Sequence, residues 1–256
     1  MRNWALYFLI IRIFFDITNS FAENVGNEPQ DLSIYEDTYA LIGPDTTGLA
    51  DDLVFKFQIS SKLKILDSNL YLAYTQRSFM DVMEGSFPFF DHSFRPEVLY
   101  RKYAHHEEPL RWWQISILHE SNGREEPFSR SWNQISGRLL FQWSSWYVLP
   151  QLWIPFLVDN DNFTDFMGFG SLTFGHLWKN DVRLSAWVRP GSKFEKAAVR
   201  ADLSVPWGSL FSSYKKRTST GLWLQAFHGY GDSLLGYDMR STSIAVGFGI
   251  QSPLLQ

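Results

Sequence analysis

The chain has 256 residues, enough for one large domain or two small ones. Its formal net charge of −4 at pH 7 argues against a dedicated nucleic-acid-binding protein, because such proteins carry strongly basic surfaces. The absence of cysteine excludes disulfides and thiolate metal sites, while 11 Trp, 11 Tyr and 22 Phe suit either a thick soluble core or the aromatic girdles of a membrane barrel.

The amino-terminal segment is typical of an export signal. Arg2 supplies a positive start, residues 5–11 form an apolar stretch, and residues 19–22 offer a cleavage context. Arg12 and Asp16 interrupt the apolar run, so an amphipathic helix is the alternative. No later stretch approaches the ~20 apolar residues of a spanning helix. The chain therefore divides into three predicted parts: a signal peptide (1–22), a loose polar leader (23–37) and one folded domain (38–256).

Beyond the leader, apolar and polar residues alternate with a period of two. In residues 53–60 the apolar side chains fall on one face and the polar ones on the other, and residues 182–188 and 244–250 repeat the pattern. Turn-forming residues such as Asp67-Ser68-Asn69 separate segments of about ten residues. About twelve strands are predicted, centred near residues 41, 57, 73, 99, 115, 137, 148, 171, 184, 200, 225 and 246.

An even number of long strands favours a closed barrel in the outer membrane. A soluble β-sandwich or a lipocalin-like barrel is the alternative, but strands of about ten residues are long for a sandwich. The charged residues on the polar face also suit a wet lumen better than a dry core. We therefore predict an all-β fold, a twelve-stranded antiparallel transmembrane β-barrel. Residues 252–256 lack the usual terminal aromatic residue, so the last strand should end near Ile250, or the assembly signal is atypical.

Residues 119–133, between two predicted strands, carry groups capable of hydrolysis. By parity, His119, Ser121 and Asn133 lie on the apolar face, which in a barrel contacts lipid. An imidazole can take the proton of a serine hydroxyl, and an amide can orient the imidazole. We interpret Ser121 as nucleophile, His119 as base and Asn133 as orienting residue. The backbone N–H of Gly123, or a metal in the following loop, is the candidate for stabilising the oxyanion.

Each of these residues also has a purely structural explanation. A histidine near a strand end is commonly a solvated or girdle residue, Ser121-Asn122-Gly123 could be an ordinary turn, and Ser129 and Asn133 could cap the loop. His119-Glu120 lacks the second histidine of a zinc protease, and the G-x-S-x-G motif of α/β-hydrolases does not occur. The run His105-His106-Glu107-Glu108 could bind a metal, but it is more typical of a solvated turn.

Residues 119–124 and 127–133 closely resemble the signature of bacterial outer-membrane phospholipase A, and Tyr74-Thr75-Gln76-Arg77-Ser78 extends the match upstream. Weaker similarity runs from about residue 39 to residue 250. The family fold is a twelve-stranded barrel. The resemblance implies the same three catalytic roles and a carboxylic ester hydrolase with phospholipase A1 and A2 activity. Such an enzyme would act on phospholipids and lysophospholipids at the outer leaflet of the bacterial outer membrane.

The resemblance also implies dependence on calcium and activity as a homodimer. The matched calcium positions are Arg124 through its carbonyl, Ser129, Ser86 of the partner subunit, and Asp159 in a second site of the monomer. Gln76 matches a polar contact across the dimer. Hydroxyl and carbonyl oxygens are ligands that calcium accepts. Two positions depart from the family pattern: Phe87 replaces a smaller residue, and Glu120, whose side chain should face the lumen, replaces a common aspartate.

Two other functions stay open from the sequence. A catalytically silent outer-membrane barrel, acting as a pore or a structural protein, could retain the same scaffold. A soluble secreted β-sandwich could be a binding module. The intact set of His119, Ser121 and Asn133 weighs against the silent barrel.

Overall fold

The computed structural model describes residues 32–104, 109–211 and 219–253. Two short helices, α1 (Phe163–Met167) and α2 (Trp207–Leu210), lie in loops within these ranges. The strands are β1 (Leu32–Ile34), β2 (Thr38–Pro44), β3 (Leu53–Lys64), β4 (Leu70–Asp81), β5 (Phe89–Tyr103), β6 (Leu110–Ser121), β7 (Ser131–Trp143), β8 (Trp146–Phe156), β9 (Gly170–Leu177), β10 (Arg183–Arg189), β11 (Ala198–Pro206), β12 (Thr220–Tyr230) and β13 (Arg240–Ile250).

Strands β2 to β13 form a closed antiparallel barrel. Each pairs with the next along the chain, and β13 pairs back onto β2, from Val246 opposite Ile42 to Ile250 opposite Thr38. The short β1 pairs with β3 just beyond the amino-terminal end of β2, so β1 and β2 share one position in the wall. The barrel thus has the twelve predicted strand positions, and every predicted centre lies inside a strand. The last strand ends at Ile250, which is where the sequence analysis placed its end in the first of its two alternatives.

The wall separates an apolar outer surface from a polar interior. On β6, Ile115 and Ile117 are 54% and 58% exposed, whereas Gln114 and Ser116 between them are each 2% exposed. A soluble protein has the opposite arrangement, with its apolar side chains inside. The observed pattern suits a barrel surrounded by lipid. In the part of the chain that the structure describes, no helix has the length and apolar character needed to cross a bilayer.

Between β1 and β2 the chain turns into the lumen and carries two carboxylates with it. Glu36 forms ion pairs with Arg138 at 3.0 Å and with Arg95 at 3.3 Å. Asp37 forms an ion pair with Arg183 at 2.6 Å. These contacts join the first strand position to distant parts of the wall and leave a polar cavity of about 210 Å³ inside the barrel.

The expectation of a loose leader is wrong for its described part. Residues 32–34 form β1, and residues 35–37 are packed inside the barrel. The acidic side chains that suggested a solvated segment instead neutralise arginines that point inward. Residues 23–31, with the predicted signal peptide, lie outside the described residues, as does the run at 105–108.

At the end of the barrel where β6 stops and β7 begins, an aromatic cluster covers the lumen. Trp132 packs edge-on against Trp153 with ring centroids 6.3 Å apart, and it also contacts Phe163 of α1 at 5.1 Å. The buried members of the cluster are Trp132, Trp153, Phe163, Phe166, Met167, Leu234 and Tyr237. Residues 119–133 therefore sit on a rim that is packed from inside.

Candidate active site on the outer wall

His119 and Asn133 face each other on the outer surface. They are direct partners in the β6–β7 register, and Nδ1 of His119 lies 3.0 Å from Oδ1 of Asn133. Because Oδ1 can only accept, Nδ1 carries the proton and Nε2 is left as the acceptor. The amide is itself held, since its Nδ2 donates to the carbonyl of Leu157 at 3.3 Å. The arrangement gives the imidazole the tautomer that a general base requires.

Ser121 is the last residue of β6 and lies on the same face as His119. Its partners in the register are Phe94 on β5 and Ser131 on β7. Within the described residues its hydroxyl makes no hydrogen bond, either to the imidazole or to another side chain. The residue is half-buried. Contacts between a nucleophile and its base are often loose without substrate and tighten in the bound complex.

Directly behind this pair, Glu120 and Trp132 meet inside the barrel. The buried carboxylate of Glu120 accepts a hydrogen bond from Nε1 of Trp132 at 2.9 Å and another from the hydroxyl of Ser93. Nε of Arg95 lies 3.9 Å from the same carboxylate. Glu120 thus points to the lumen, as its parity predicted. Its contacts fix the backbone that carries the outward-facing side chains.

Asn122 organises the loop that follows β6, a role that the sequence analysis missed. The side chain is 2% exposed. Its Nδ2 donates to the carbonyl of Phe128 at 2.8 Å, while Oδ1 accepts from the backbone N–H of Arg130 at 3.0 Å and of Arg124 at 3.3 Å. One amide therefore ties the two arms of loop 122–130 together. The signal available in the sequence was the tendency of Asn to bond to the backbone two residues on.

Gly123 has a backbone conformation that suits a glycine. Its φ is +66°, and a Cβ at this position would lie 3.1 Å from Cε2 of Phe94. The N–H of Gly123 has no acceptor among the described residues. The group proposed for the oxyanion is therefore available to donate, two residues after Ser121.

The residues matched to calcium lie in three loops at the same end of the barrel. Arg124 and Ser129 share loop 122–130, where the carbonyl of Ser129 accepts from Nη1 of Arg130 and its hydroxyl is left for other partners. Asp159 is exposed, and its backbone N–H donates to the carbonyl of Ser131 at 3.1 Å. No cluster of three or more His, Cys, Asp or Glu side chains that could hold a metal occurs in the described ranges. Hydroxyl and carbonyl oxygens fit calcium better than a transition metal.

Ser86 is exposed in the turn between β4 and β5. The next residue, Phe87, has a φ of +52°, which is unfavourable for a bulky side chain. Its N–H donates to the carbonyl of Glu84 at 3.1 Å and closes the turn. A glycine would adopt this conformation without strain.

Gln76 faces outward on β4, but its amide is engaged within its own subunit. The hydroxyl of Tyr74 donates to Oε1 at 3.0 Å, and Nε2 donates to Oγ of Ser78 at 3.0 Å. Oγ of Ser78 in turn lies 2.9 Å from Nδ1 of His92 on β5. A contact across a dimer at Gln76 would have to share or replace these bonds. His92 was not identified from the sequence.

Comparison with known proteins identifies the family. The profile of phospholipase A1 matches residues 19–250. The chain belongs to the phospholipase A1 family. The phospholipase A1 of Escherichia coli K12 is 31% identical over 206 residues, which cover 75% of this chain and 68% of that protein. A putative phospholipase A1 of Neisseria meningitidis serogroup B is 28% identical over 211 residues, 75% of this chain and 53% of the relative, so the chain spans about half of that relative.

Solved structures of the phospholipase A1 family have the same fold. The outer membrane phospholipase A of Escherichia coli superposes with a TM-score of 0.76 at 25% identity, covering 92% of this chain and 97% of the other. A Salmonella typhi outer membrane phospholipase, a dimer with bound calcium, superposes with the same TM-score and identity and covers 92% and 98% of the two chains. The family, the barrel fold and the outer-membrane location predicted from the sequence are confirmed.

Proposed function

We propose that this protein is a calcium-dependent outer-membrane phospholipase that hydrolyses sn-1 and sn-2 acyl esters of phospholipids and lysophospholipids by a Ser-His-Asn mechanism. The observation that carries the proposal is the 3.0 Å contact between His119 and Asn133 on the outer wall, beside Ser121. The contact leaves Nε2 of His119 as an acceptor on the same face as the hydroxyl of Ser121, which is the arrangement that a Ser-His-Asn hydrolase needs.

The chemistry follows from these groups. Oγ of Ser121 attacks the ester carbonyl carbon while Nε2 of His119 takes the hydroxyl proton, and the carbonyl electron pair moves onto oxygen. When the tetrahedral intermediate collapses, the bond to the glycerol oxygen breaks and that oxygen takes the proton from His119. A water molecule, deprotonated by His119, then releases the fatty acid and regenerates Ser121. Asn133 holds the ring in one orientation throughout, and the N–H of Gly123 donates to the oxyanion.

The calcium positions taken from the family fit the donor groups present here. The carbonyl of Arg124 and the hydroxyl of Ser129 would hold the ion, completed by Ser86 of the partner subunit, and Asp159 belongs to a second site. When bound, the cation supplies positive charge that polarises the ester carbonyl and stabilises the oxyanion. A homodimer is supported by the dimeric Salmonella typhi relative, which contains calcium.

The lumen disfavours the alternative of an open pore. Glu36 and Asp37 project into it and form ion pairs with arginines from three other strands. The remaining cavity, about 210 Å³, is small for a conducting channel.

The test is fatty-acid release from phospholipid in mixed micelles by the purified protein, with calcium and with a chelator. Ser121→Ala should lower the rate by about 10⁴-fold or more, because the nucleophile is lost. Ser131→Ala is the matched control, since Ser131 lies opposite Ser121 on the same outer face and has no assigned role. Unchanged hydrolysis by Ser121→Ala would remove the assigned nucleophile. Ion conductance without hydrolysis by the wild type would favour the silent barrel.

A further inference from the structure

A second histidine lies on the outer wall beside the candidate active site. His92 faces outward on β5, and its ring stacks on Phe94 and lies tilted against Phe89, with centroids 5.3 and 5.0 Å away. Phe94 is the register partner of Ser121. His92 is two residues further toward the loops that contain the calcium positions, a rise of about 7 Å along the strand. It therefore stands above the nucleophile, on the side where lipid headgroups lie.

The hydrogen bonds around His92 fix which of its nitrogens carries the proton. Nε2 of Gln76 donates to Oγ of Ser78, and Oγ of Ser78 lies 2.9 Å from Nδ1 of His92. Ser78 is 0% exposed, so its own proton needs an acceptor, and Nδ1 is the one beside it. A neutral imidazole that accepts at Nδ1 carries its proton on Nε2. His92 is thus a hydrogen-bond donor, whereas His119 presents an acceptor.

The donating edge of His92 is open. Nδ1 faces β4, so Nε2, on the other edge of the ring, faces away from that strand. Nε2 has no hydrogen-bond partner among the described residues. It is also not one of their buried polar atoms that lack a partner, so it is accessible from outside the protein. Gly123, the residue before Arg124, lies against the Phe94 ring that packs on His92, so Arg124 begins beside the same group of rings. No carboxylate of the described chain lies within 4 Å of the Arg124 guanidinium.

We propose that Nε2 of His92, together with the Arg124 guanidinium, binds the phosphate of the phospholipid whose ester lies at Ser121. An N–H donor and an unpaired guanidinium are a favourable combination for an oxyanion. His92 is the diagonal neighbour of Ser121 across β5 and β6, a separation of about 7–8 Å, which one glycerophospholipid can span from its ester to its phosphate. The inference rests on the proposed function and makes His92 a determinant of phospholipid specificity.

The experiment compares two substrates with identical acyl chains, a phosphatidylcholine and the corresponding diacylglycerol, in mixed micelles. His92→Phe retains a flat ring between Phe89 and Phe94 but loses both nitrogens. It should lower kcat/KM for phosphatidylcholine about 10- to 100-fold more than for diacylglycerol, the range expected for losing a hydrogen bond to a charged group. Ser78→Ala keeps the imidazole but frees its tautomer, and should give a loss of about threefold in the same ratio.

His228→Phe is the matched control. His228 also faces lipid, on β12, and its Nδ1 lies 2.7 Å from the hydroxyl of Thr242. This variant should keep the wild-type ratio, and heat-dependent gel mobility should show that all the barrels are folded. An unchanged ratio in His92→Phe, or an equal fall for both substrates, would overturn the inference alone. Absence of hydrolysis of either substrate by the wild type would overturn the proposed function, and the inference with it.

Discussion

Trp132 donates its indole hydrogen bond to Glu120 across 2.9 Å inside the barrel, one residue along the ladder from where His119 meets Asn133 outside. Neighbouring residues of a strand point to opposite faces, so both pairs belong to the same short stretch of β6 and β7. The inner pair fixes the backbone positions from which the outer pair projects. The polar interior and the candidate active site are therefore mechanically linked through a single layer of sheet.

Replacing Glu120 should weaken the barrel and, through it, the site. Glu120→Leu leaves the Trp132 indole and the Ser93 hydroxyl without their acceptor, which should cost about 2–4 kcal/mol. Glu120→Gln keeps an acceptor oxygen and should cost less. The measurement is the unfolding midpoint in detergent, followed by heat-dependent gel mobility. Equal unfolding midpoints for the wild type and both variants would contradict the role of Glu120 in stabilising this part of the barrel.

Asn133→Ala should lower kcat about tenfold or more with little change in KM. Without the amide, the His119 ring loses a hydrogen bond of about 1–1.5 kcal/mol and the tautomer that leaves Nε2 as the base. Substrate contacts are not removed, so binding should persist. Steady-state kinetics at saturating calcium provides the measurement, with Ser131→Ala again as the neighbouring control. A wild-type kcat in Asn133→Ala would mean that the imidazole needs no orientation by this residue.

Asn122→Ala should raise the calcium concentration needed for half-maximal activity about tenfold. The substitution removes three hydrogen bonds that hold loop 122–130, which carries Arg124 and Ser129, while the strands keep their own ladder. Activity at saturating calcium should recover for the most part. Asn69→Ala, in an exposed turn at the opposite end of the barrel, is the control. A titration curve that coincides with the wild type would refute the proposed role of Asn122.

Substitutions at Phe87 should follow backbone conformation rather than side-chain size alone. The φ of +52° is comfortable for glycine and unfavourable for β-branched residues. Phe87→Gly should therefore retain the stability of the wild type, whereas Phe87→Val should lose about 1 kcal/mol or more. The measurement is the unfolding midpoint of the two variants in detergent. A higher midpoint for Phe87→Val than for Phe87→Gly would show that the stability of the turn does not depend on φ.

The sequence predicted those features that depend only on whether a residue occupies an odd or an even position in its strand. The face on which a strand residue lies follows from the period of two, so the twelve strand positions and the outward placement of His119, Ser121 and Asn133 could be derived directly. The same reasoning placed Glu120 inside. Each of these predictions required only the local sequence.

Features that depend on distant partners could not be predicted in this way. Glu36 is bound by Arg95 and Arg138, which lie 59 and 102 residues away along the chain, so its acidic segment resembled a solvated leader. The bond between Ser78 and His92 depends on the β4–β5 register beside an irregularity between Phe79 and Met80. Loop 122–130 resembled an ordinary turn because the contacts of a buried amide leave no periodic pattern.

In the proposed function, the Ser121 hydroxyl on the outer wall reacts only with molecules in the same membrane leaflet or micelle. Its encounters are lateral, so the rate should follow the surface mole fraction of phospholipid rather than the amount in the surrounding water. Diluting the substrate with inert detergent inside each micelle should therefore slow turnover, while adding more micelles of the same composition, once the enzyme is fully incorporated, should not change it.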